Sequence, residues 1–344
     1  MTHTAVQIQQ ALDQLPRLQL NELPTPLHFC ARLTEQLGGP RIFIKRDDLT
    51  GLAFGGNKSR YLEFTLAEAV EQGADAVVLS AVIQSNHCRQ FAAACARVGL
   101  KGVVVLYQDE NTPMGQRHRV TGNYLLDQLF GADIRIAPAA EISAVIDQEM
   151  ERLRQQGYQP FTGLSGLRSR AAYIQCGLEL ASQCGALDFA ARHIFSCSGG
   201  NSLAGLVAAF ALLGQQPRFV GVPHNPLQSS PRQAAAQLAA RAREAAEFIG
   251  LSCAPAPERL CVTTDCADPT FGLLDPPTRE AINLLARSEG ILLDPAYTGK
   301  AFATLLAHLR QGRLPADEDV VFVHTGGTPL TFVYGEDLLP DAEK

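Results

Sequence analysis

A single lysine lies where a glycine-rich loop meets a predicted amphipathic helix. Lys58 directly follows Gly55, Gly56 and Asn57 and precedes apolar residues at helical spacing. The positive end of the helix dipole disfavours a cation here, whereas a lysine that is neutral or covalently engaged is tolerated and can form a Schiff base. The pattern leaves two interpretations open, a surface lysine after a flexible turn and a lysine that binds a cofactor covalently.

Three further polar or glycine-rich loops follow predicted strands, and in an open α/β sheet such loops form the ligand-binding edge. Their sequences are QSNH at residues 84–87, CSGGNS at 197–202 and HTGGT at 324–328. A glycine-rich turn between a strand and a helix presents N–H groups and the helix dipole to an anion, and it favours phosphate. Simpler interpretations are a tight packing turn for CSGGNS and an ordinary N-cap for Ser85 or Asn86.

The combination of these features is more informative than any one of them. A phosphate-bearing aldehyde held by a lysine requires that lysine, an anion site and polar groups at helix N-termini. Pyridoxal 5'-phosphate is such an aldehyde. We therefore predict that the chain binds it through Lys58.

The composition is that of an acidic, enzyme-sized globular protein. The 344 residues have a net charge of −6 and 46% hydrophobic residues, which disfavours nucleic acid and anionic membranes as partners. No basic leader precedes an apolar run and no stretch approaches the roughly 18 apolar residues of a membrane span, so a cytoplasmic location is expected. The nine cysteines are scattered and the histidines lack ligand spacing, so neither disulfides nor a metal site are expected.

Short apolar strands alternate with predicted helices, which indicates parallel sheets covered on both faces. We therefore predict the α/β class with two doubly wound, mainly parallel open sheets. Residues 1–54 and 169–344 are assigned to a large cofactor-binding domain, and residues 55–168 to a small domain with the Schiff-base lysine and the QSNH loop. The first helix is predicted to reach about Leu20, and residues 23–27 to form an extended connection. Strands are predicted at residues 41–45, 76–80, 103–107, 133–136, 193–196, 218–222 and 319–324.

Five motifs occur in the order GGNKSR, QSNH, SGGN-x-x-AGL, DPAYTGKA and HTGG. This set resembles the fold-type-II pyridoxal-phosphate enzymes of the 1-aminocyclopropane-1-carboxylate deaminase and D-cysteine desulfhydrase family, over residues 23–334. The resemblance implies a fold like that of the tryptophan synthase β subunit and a homodimer. It also implies pyridoxal 5'-phosphate as the cofactor and a small amino acid as the substrate.

The resemblance further implies which residues contact the cofactor. Lys58 would form the Schiff base and Asn86 would hydrogen-bond the phenolic oxygen. Tyr297 would lie against the ring, and Thr325 would face the pyridine nitrogen. Asn57 is a further implied contact. The implied phosphate-binding residues are Ser198, Gly199, Gly200, Asn201 and Ser202.

The resemblance also implies where the substrate binds. Ser85 and the N–H groups of Asn86 and His87 would hold the substrate carboxylate, with Ser85 near the reacting carbon. Lys58, Ser85 and Tyr297 are the implied catalytic residues, and Lys58 would act as the general base that removes the Cα proton. For Tyr297, acid-base assistance and simple ring stacking both remain open.

Two positions help to choose a branch of the family. Thr298 and Thr325 match the desulfhydrase branch, whereas the deaminase branch has a glutamate and a leucine there. The implied activity is an α,β-elimination on a small β-substituted amino acid that yields pyruvate and ammonia. The alternatives are ring-opening deamination of 1-aminocyclopropane-1-carboxylate, L-cysteate sulfo-lyase activity, a β-chloroalanine or D-serine lyase, and a pyridoxal-phosphate-binding protein without turnover.

The chain departs from its relatives at three positions. Tyr61 stands where they commonly have a lysine, so a phenol replaces a positive phosphate partner. Phe271 occupies a substrate-binding position where a tyrosine is usual, which removes a hydroxyl, and Asn201 replaces a threonine. Gly55 and Gly56 are expected to let the backbone approach the cofactor ring.

Overall fold

The computed structural model describes residues 2–108, 113–115, 120–197, 200–225, 227–264, 266, 268 and 270–339. Within these ranges, ten strands form two sheets. The strands are β1 (Leu27–Phe29), β2 (Ile42–Lys45), β3 (Ala76–Val82), β4 (Lys101–Tyr107), β5 (Asp133–Ala137), β6 (Pro160–Phe161), β7 (His193–Ser196), β8 (Arg218–Gly221), β9 (Leu260–Val262) and β10 (Val320–Val323).

Twelve α-helices lie in the same described ranges, and a helix separates each pair of consecutive strands. This regular alternation is the pattern of an α/β protein. The helices are α1 (Ala5–Leu12), α2 (Ala31–Leu37), α3 (Asn57–Glu71), α4 (Asn86–Val98), α5 (Gly122–Leu129), α6 (Ile142–Gln155), α7 (Gly166–Ala186), α8 (Asn201–Leu212), α9 (Pro231–Phe248), α10 (Pro276–Glu289), α11 (Thr298–Arg310) and α12 (Gly335–Leu338).

Both sheets are open and almost entirely parallel. The six-stranded sheet has the order β1-β2-β10-β7-β8-β9, and only β1 runs antiparallel to its neighbour. The four-stranded sheet has the order β5-β4-β3-β6 and is parallel throughout. The predicted α/β class with two mainly parallel sheets is confirmed.

The two sheets draw their strands from different parts of the chain. The four-stranded sheet uses strands between residues 76 and 161, and the six-stranded sheet uses strands on either side of that segment. This grouping agrees with the predicted division into residues 55–168 and the remainder, which we retain as a proposal for the domain boundaries.

Helix α3 joins the cores of the two sheets. Tyr61 and Phe64 belong to the apolar core that lies against the six-stranded sheet, with residues of α7 and α8. Leu62 and Leu66 belong to the core of the four-stranded sheet, with Phe91 of α4. The N-terminus of α3, which carries the predicted Schiff-base lysine, therefore lies at the junction of the sheets.

The start of the chain differs from the prediction. Helix α1 ends at Leu12 and does not reach Leu20. Glu63 of α3 holds the segment that follows, because its carbonyl accepts from the Leu18 N–H at 2.8 Å and its carboxylate accepts from the Leu20 N–H at 3.1 Å and from Arg17. A tertiary contact thus replaces the helical hydrogen bonds.

The strand predictions are confirmed for all seven predicted segments, with ends that differ by a few residues. Three strands were not predicted, namely β1, β6 and β9. Each has only two or three residues, which is too short for an alternating pattern to be recognised.

Helices α7 and α8 approach closely because each has a glycine at the contact. A Cβ on Gly205 would lie 2.5 Å from the Cβ of Tyr173 and would also meet the carbonyl of Arg170. A Cβ on Gly177 would collide with the Cβ of Ala209. This close packing fixes α8 against the sheet, and α8 supplies one wall of the site described below.

The variant Gly205→Ala tests this contact. The added methyl group has no space, so we expect the free energy of unfolding to fall by about 1–3 kcal/mol. Gly185→Ala in α7 is the matched control, because nothing lies within 4 Å of the added Cβ, and it should stabilise by roughly 0.5–1 kcal/mol. Urea unfolding followed by circular dichroism measures both, and equal effects would contradict the packing explanation.

Candidate active site

A cavity of about 360 Å³ opens between the two sheets, at the carboxyl ends of β3, β4, β7 and β10. Its size falls within the roughly 300–1,000 Å³ of small-molecule sites. The predicted site residues that line it are Asn57, Lys58, Ser85, Asn86, His87, Gly200, Asn201, Ser202, Tyr297 and Thr325. Ser198 and Gly199 lie outside the described residues. Phe271 does not line the cavity.

Several lining residues were not predicted as site residues. They are Tyr61, Tyr107, Cys197, His224 and Gly326, together with two apolar residues of β3. Cys197 and Tyr107 stand at strand ends, a position that could have been read from the sequence. His224 lies in a segment without a recognisable motif, so only the fold brings it to the cavity.

Lys58 has an unusual environment for a lysine. Its side chain is partly buried, and its Nζ lies 4.8 Å from the centre of the Tyr61 ring. None of the described carboxylates forms an ion pair with it. Burial lowers the pKa of Lys58 to about 8, although the nearby Cys197 thiol opposes the shift. Roughly a tenth of the amine is therefore neutral at pH 7, far more than for an ordinary lysine.

The glycines around Lys58 are required by protein packing. Gly55 has φ +62°, and a Cβ there would collide with the carbonyl of Asp48. A Cβ on Gly326, which has φ +96°, would lie 2.6 Å from the Cα of Gly56. The GGNK and HTGG loops thus touch backbone to backbone. The expected approach to a cofactor ring remains a prediction, but it is not needed to explain these glycines.

The N-terminus of α8 has the features of an anion site. Its N-cap is Gly200, which has no side chain to bind the N–H groups of the first turn. Ser202 Oγ accepts from Asn57 Nδ2 at 2.9 Å and makes a short hydrogen bond with the Tyr61 hydroxyl. Asn201 Oδ1 accepts from Arg170 Nε at 3.1 Å. These contacts fix the polar side chains around the turn.

The simpler interpretation of Ser85 as an N-cap is confirmed. Ser85 Oγ accepts from the N–H groups of His87 at 3.1 Å and Cys88 at 3.3 Å at the start of α4. The His87 N–H, one of the groups implied to bind a substrate carboxylate, is therefore already engaged in this structure. Ser85 still faces the cavity, so capping and ligand contact are compatible.

His87 presents a buried polar atom without a partner. Its Nε2 is buried and makes no hydrogen bond with any described residue. Burial, together with the charge of Lys58, lowers the pKa of His87 to about 3, so the imidazole is neutral at physiological pH. A buried nitrogen without a protein partner beside the cavity is available to bind a ligand or a water molecule.

Asp294 fixes the position of Tyr297. Its carboxylate accepts from the N–H groups of Ala296 at 2.9 Å, Tyr297 at 2.7 Å and Thr298 at 3.0 Å. The Thr298 hydroxyl donates to the same carboxylate at 2.6 Å, and Thr298 does not line the cavity. The residue that distinguishes the family branches here therefore acts through Asp294.

Two aromatic rings that line the cavity, those of His224 and Tyr297, pack against the ring of Phe271, which does not line it. His224 lies 5.2 Å from Tyr297 and 5.6 Å from Phe271, and Phe271 lies 5.7 Å from Tyr297. Phe271 thus supports two lining rings from behind. Burial raises the pKa of the Tyr297 hydroxyl well above its usual value, so it remains protonated and can donate a hydrogen bond.

Other kinds of site find no support in the described part of the chain. No group of three or more His, Cys, Asp or Glu side chains there is arranged to hold a metal ion. No described helix is long and apolar enough to cross a membrane. None of the nine cysteines, which all lie in the described ranges, forms a disulfide bond, and six of them are buried.

Comparison with known proteins identifies the class. A family model for pyridoxal-phosphate dependent enzymes matches residues 18–326, so the chain belongs to that family and pyridoxal phosphate is its cofactor. The D-cysteine desulfhydrase of Yersinia enterocolitica is 38% identical over 332 residues, which cover 95% of this chain and 98% of that protein. The D-cysteine desulfhydrase of Klebsiella pneumoniae is also 38% identical, over 94% of this chain and 98% of the relative.

A solved structure agrees with the sequence relatives. The crystal structure of an ACC deaminase homologue has a TM-score of 0.82 and 31% identity, and the match covers 96% of this chain and 98% of that one. The predicted family and fold type II are confirmed. The cavity also fits the cofactor, because it joins a lysine of lowered pKa to an anion-binding helix N-terminus.

The lowered pKa of Lys58 gives a pH prediction. Only a neutral amine attacks an aldehyde, so the rate at which the apoprotein binds pyridoxal 5'-phosphate should rise with pH and level off above about pH 8. Stopped-flow absorbance measures this rate, and Lys58→Arg is the control that cannot form the bond. A rate that still rises steeply beyond pH 9 would mean that Lys58 has an ordinary pKa.

The Tyr61 hydroxyl gives a second prediction. Tyr61→Phe removes the short hydrogen bond to Ser202, and we expect the Kd for pyridoxal 5'-phosphate to rise about tenfold. Tyr173→Phe is the matched control, because its buried hydroxyl donates to Asp47 at 2.7 Å away from the cavity. That variant should lose stability and keep its cofactor affinity. Equal cofactor affinity in the two variants would contradict a role for Tyr61.

Proposed function

We propose that the chain is a lyase of the D-cysteine desulfhydrase type, which acts on a small β-substituted amino acid. One observation carries the proposal. Lys58, with its lowered pKa, and the N-terminus of α8, which has no side-chain cap, border the same cavity. For D-cysteine, the overall reaction consumes water and yields pyruvate, ammonia and hydrogen sulfide.

The proposed elimination breaks two bonds of the substrate, Cα–H and Cβ–S, and the later hydrolysis breaks the C–N bond. Bound pyridoxal phosphate supplies an electron sink that makes the Cα proton acidic. Lys58 Nζ removes this proton as general base, which its neutral form permits. The electron pair then forms the Cα–Cβ double bond as thiolate leaves Cβ, and released aminoacrylate hydrolyses to pyruvate and ammonia.

The remaining residue roles support binding and orientation. Gly200, Asn201 and Ser202 hold the phosphate together with Ser198 and Gly199, which lie outside the described residues. Ser85, Asn86 and His87 face the side where a substrate carboxylate binds. We assign the unpartnered Nε2 of His87 to a contact with the ligand.

Tyr297 remains protonated, so it is suited to donate a proton or a hydrogen bond at the reacting atoms. Asn57 is assigned to the cofactor through its contact with Ser202. Phe271 acts on the substrate indirectly, since its ring supports those of Tyr297 and His224.

The environment of the pyridine nitrogen favours elimination over ring opening. Thr325 lines the cavity with a hydroxyl, and the Asp294 carboxylate is occupied by its hydrogen bonds to residues 296–298. A carboxylate beside the nitrogen would keep it protonated and strengthen the electron sink. A weaker electron sink suffices when a good leaving group departs from Cβ, whereas opening a cyclopropane ring requires a stronger one.

Two properties of the whole protein are part of the proposal. We infer a homodimer from the family resemblance, and size-exclusion chromatography with light scattering tests it. We infer a cytoplasmic location because nine cysteines without a disulfide bond suit a reducing compartment.

A product panel tests the activity. We expect sulfide and pyruvate from D-cysteine, and a loss of at least about a thousandfold in kcat for Lys58→Ala, since the base and the cofactor anchor are lost together. Lys101→Ala is the control, because Lys101 pairs with Asp133 at 2.9 Å outside the cavity.

Other outcomes of this panel point to other functions. 2-Oxobutanoate from 1-aminocyclopropane-1-carboxylate would indicate ring opening, and sulfite from L-cysteate would indicate sulfo-lyase activity. Pyruvate from β-chloroalanine or D-serine without sulfide from cysteine would indicate another β-lyase. Bound cofactor without any product would indicate a protein that has lost turnover.

A further inference from the structure

Helix α4 carries a buried arginine whose charge has no direct acidic partner. Arg89 is fully buried, and no described carboxylate forms an ion pair with it. Its Nε has no hydrogen-bond partner among the described residues. A buried guanidinium without a carboxylate is costly, so its position requires an explanation beyond packing.

The guanidinium joins three parts of the site. Nη1 donates to Asn86 Oδ1 at 2.7 Å and to Asn123 Oδ1 at 2.6 Å, and Nη2 donates to the carbonyl of Gly55 at 2.9 Å. Gly55 belongs to the loop that leads to Lys58, and Asn123 belongs to α5. One side chain therefore connects the lysine loop, the QSNH loop and α5.

These contacts determine the orientation of the Asn86 amide. Its Oδ1 accepts from Arg89 and also from Asn123 Nδ2 at 3.0 Å. Asn123 is fixed in turn, because its Nδ2 also donates to the carbonyl of Gln84 at 2.7 Å. With two donors on Oδ1, the Asn86 NH₂ group remains for the cavity that Asn86 lines.

The acidic groups nearest to Arg89 leave its charge largely uncompensated. Burial raises the pKa of Asp127 on α5 to about 8, so this carboxyl is mostly neutral at pH 7, and neither of its oxygens has a partner among the described residues. Burial also raises the pKa of Asp294. Burial lowers the pKa of Arg89 only to about 10, so the guanidinium remains charged.

We propose that Arg89 is a positioning residue for the cofactor. It orients the Asn86 NH₂ group towards the phenolic oxygen and anchors the loop that carries Lys58. Its charge, transmitted through the polarised Asn86 amide, favours the anionic form of that oxygen. The proposal rests on the assignment of Lys58 and Asn86 to the cofactor in the proposed function.

The test uses the visible absorbance of the bound cofactor in the holoenzyme. In Arg89→Met, the apparent pKa of the chromophore should rise by at least one unit, because a positive charge that favours the anion is lost. The Kd for pyridoxal 5'-phosphate should rise at least about tenfold. Arg89→Lys keeps the positive charge but lacks the planar guanidinium with its several donors. The apparent pKa of its chromophore should therefore stay close to the wild-type value, whereas its Kd for the cofactor should still rise.

Two further variants make the result interpretable. Arg97→Met is the matched control on the same helix, because Arg97 is exposed and donates to the Leu20 carbonyl away from the cavity, and it should leave both quantities unchanged. Asn123→Ser keeps Arg89 and removes one donor to Asn86. It should shift the chromophore in the same direction by a smaller amount, and it substitutes for Arg89→Met if that variant fails to fold.

The outcomes separate this proposal from the proposed function. The role of Arg89 would be overturned if Arg89→Met had the chromophore pKa and the Kd of the wild type. If Arg89→Met fails to fold, the same result in Asn123→Ser would overturn it. In either case, turnover of D-cysteine by the wild type would still support the proposed function. A wild-type protein whose cofactor is not fixed to Lys58 by borohydride would overturn the site assignment itself.

Discussion

The burial of the Lys58 amine without a carboxylate partner is the constraint on which the site depends. Two buried cations that do not line the cavity are paired: Arg60 contacts Asp47 at 2.9 Å, and both Arg60 and Lys45 contact Glu179. Acidic side chains thus neutralise Arg60 and Lys45, whereas Lys58 at the cavity and Arg89 behind Asn86 have no carboxylate in an ion pair. The result is a positive potential where an anionic cofactor and an amino-acid carboxylate must bind.

Backbone geometry adds to this potential. The N-termini of α3, α4, α8 and α11 all border the cavity, through Asn57, Asn86, Asn201 and Tyr297 respectively. Helices α3, α4 and α8 come after the parallel strands β2, β3 and β7, and α11 follows α10. A helix that follows a parallel strand starts at the carboxyl edge of its sheet, so its positive end faces the ligand-binding edge. Helix dipoles and desolvation therefore act together on the lysine, and both favour its neutral form.

The sequence predicted those features that depend on local pattern. Buried parallel strands give continuous apolar runs, and the five motifs mark loops and helix N-termini, so the two sheets and ten of the lining residues could be predicted from the sequence. The predicted end of α1 was wrong because Glu63, which is distant in sequence, accepts a hydrogen bond from the backbone that follows this helix. The roles of Thr298 and Phe271 behind the lining residues, and the three-way contact of Arg89, depend on distances that no pattern contains.

The position of α3 in two apolar cores has a consequence for how the protein assembles. One side of this helix completes the core of the six-stranded sheet, and another completes the core of the four-stranded sheet. A chain without this helix would expose apolar residues of both cores to water. The position of Lys58, on the first turn of this helix, is therefore coupled to the packing of both cores.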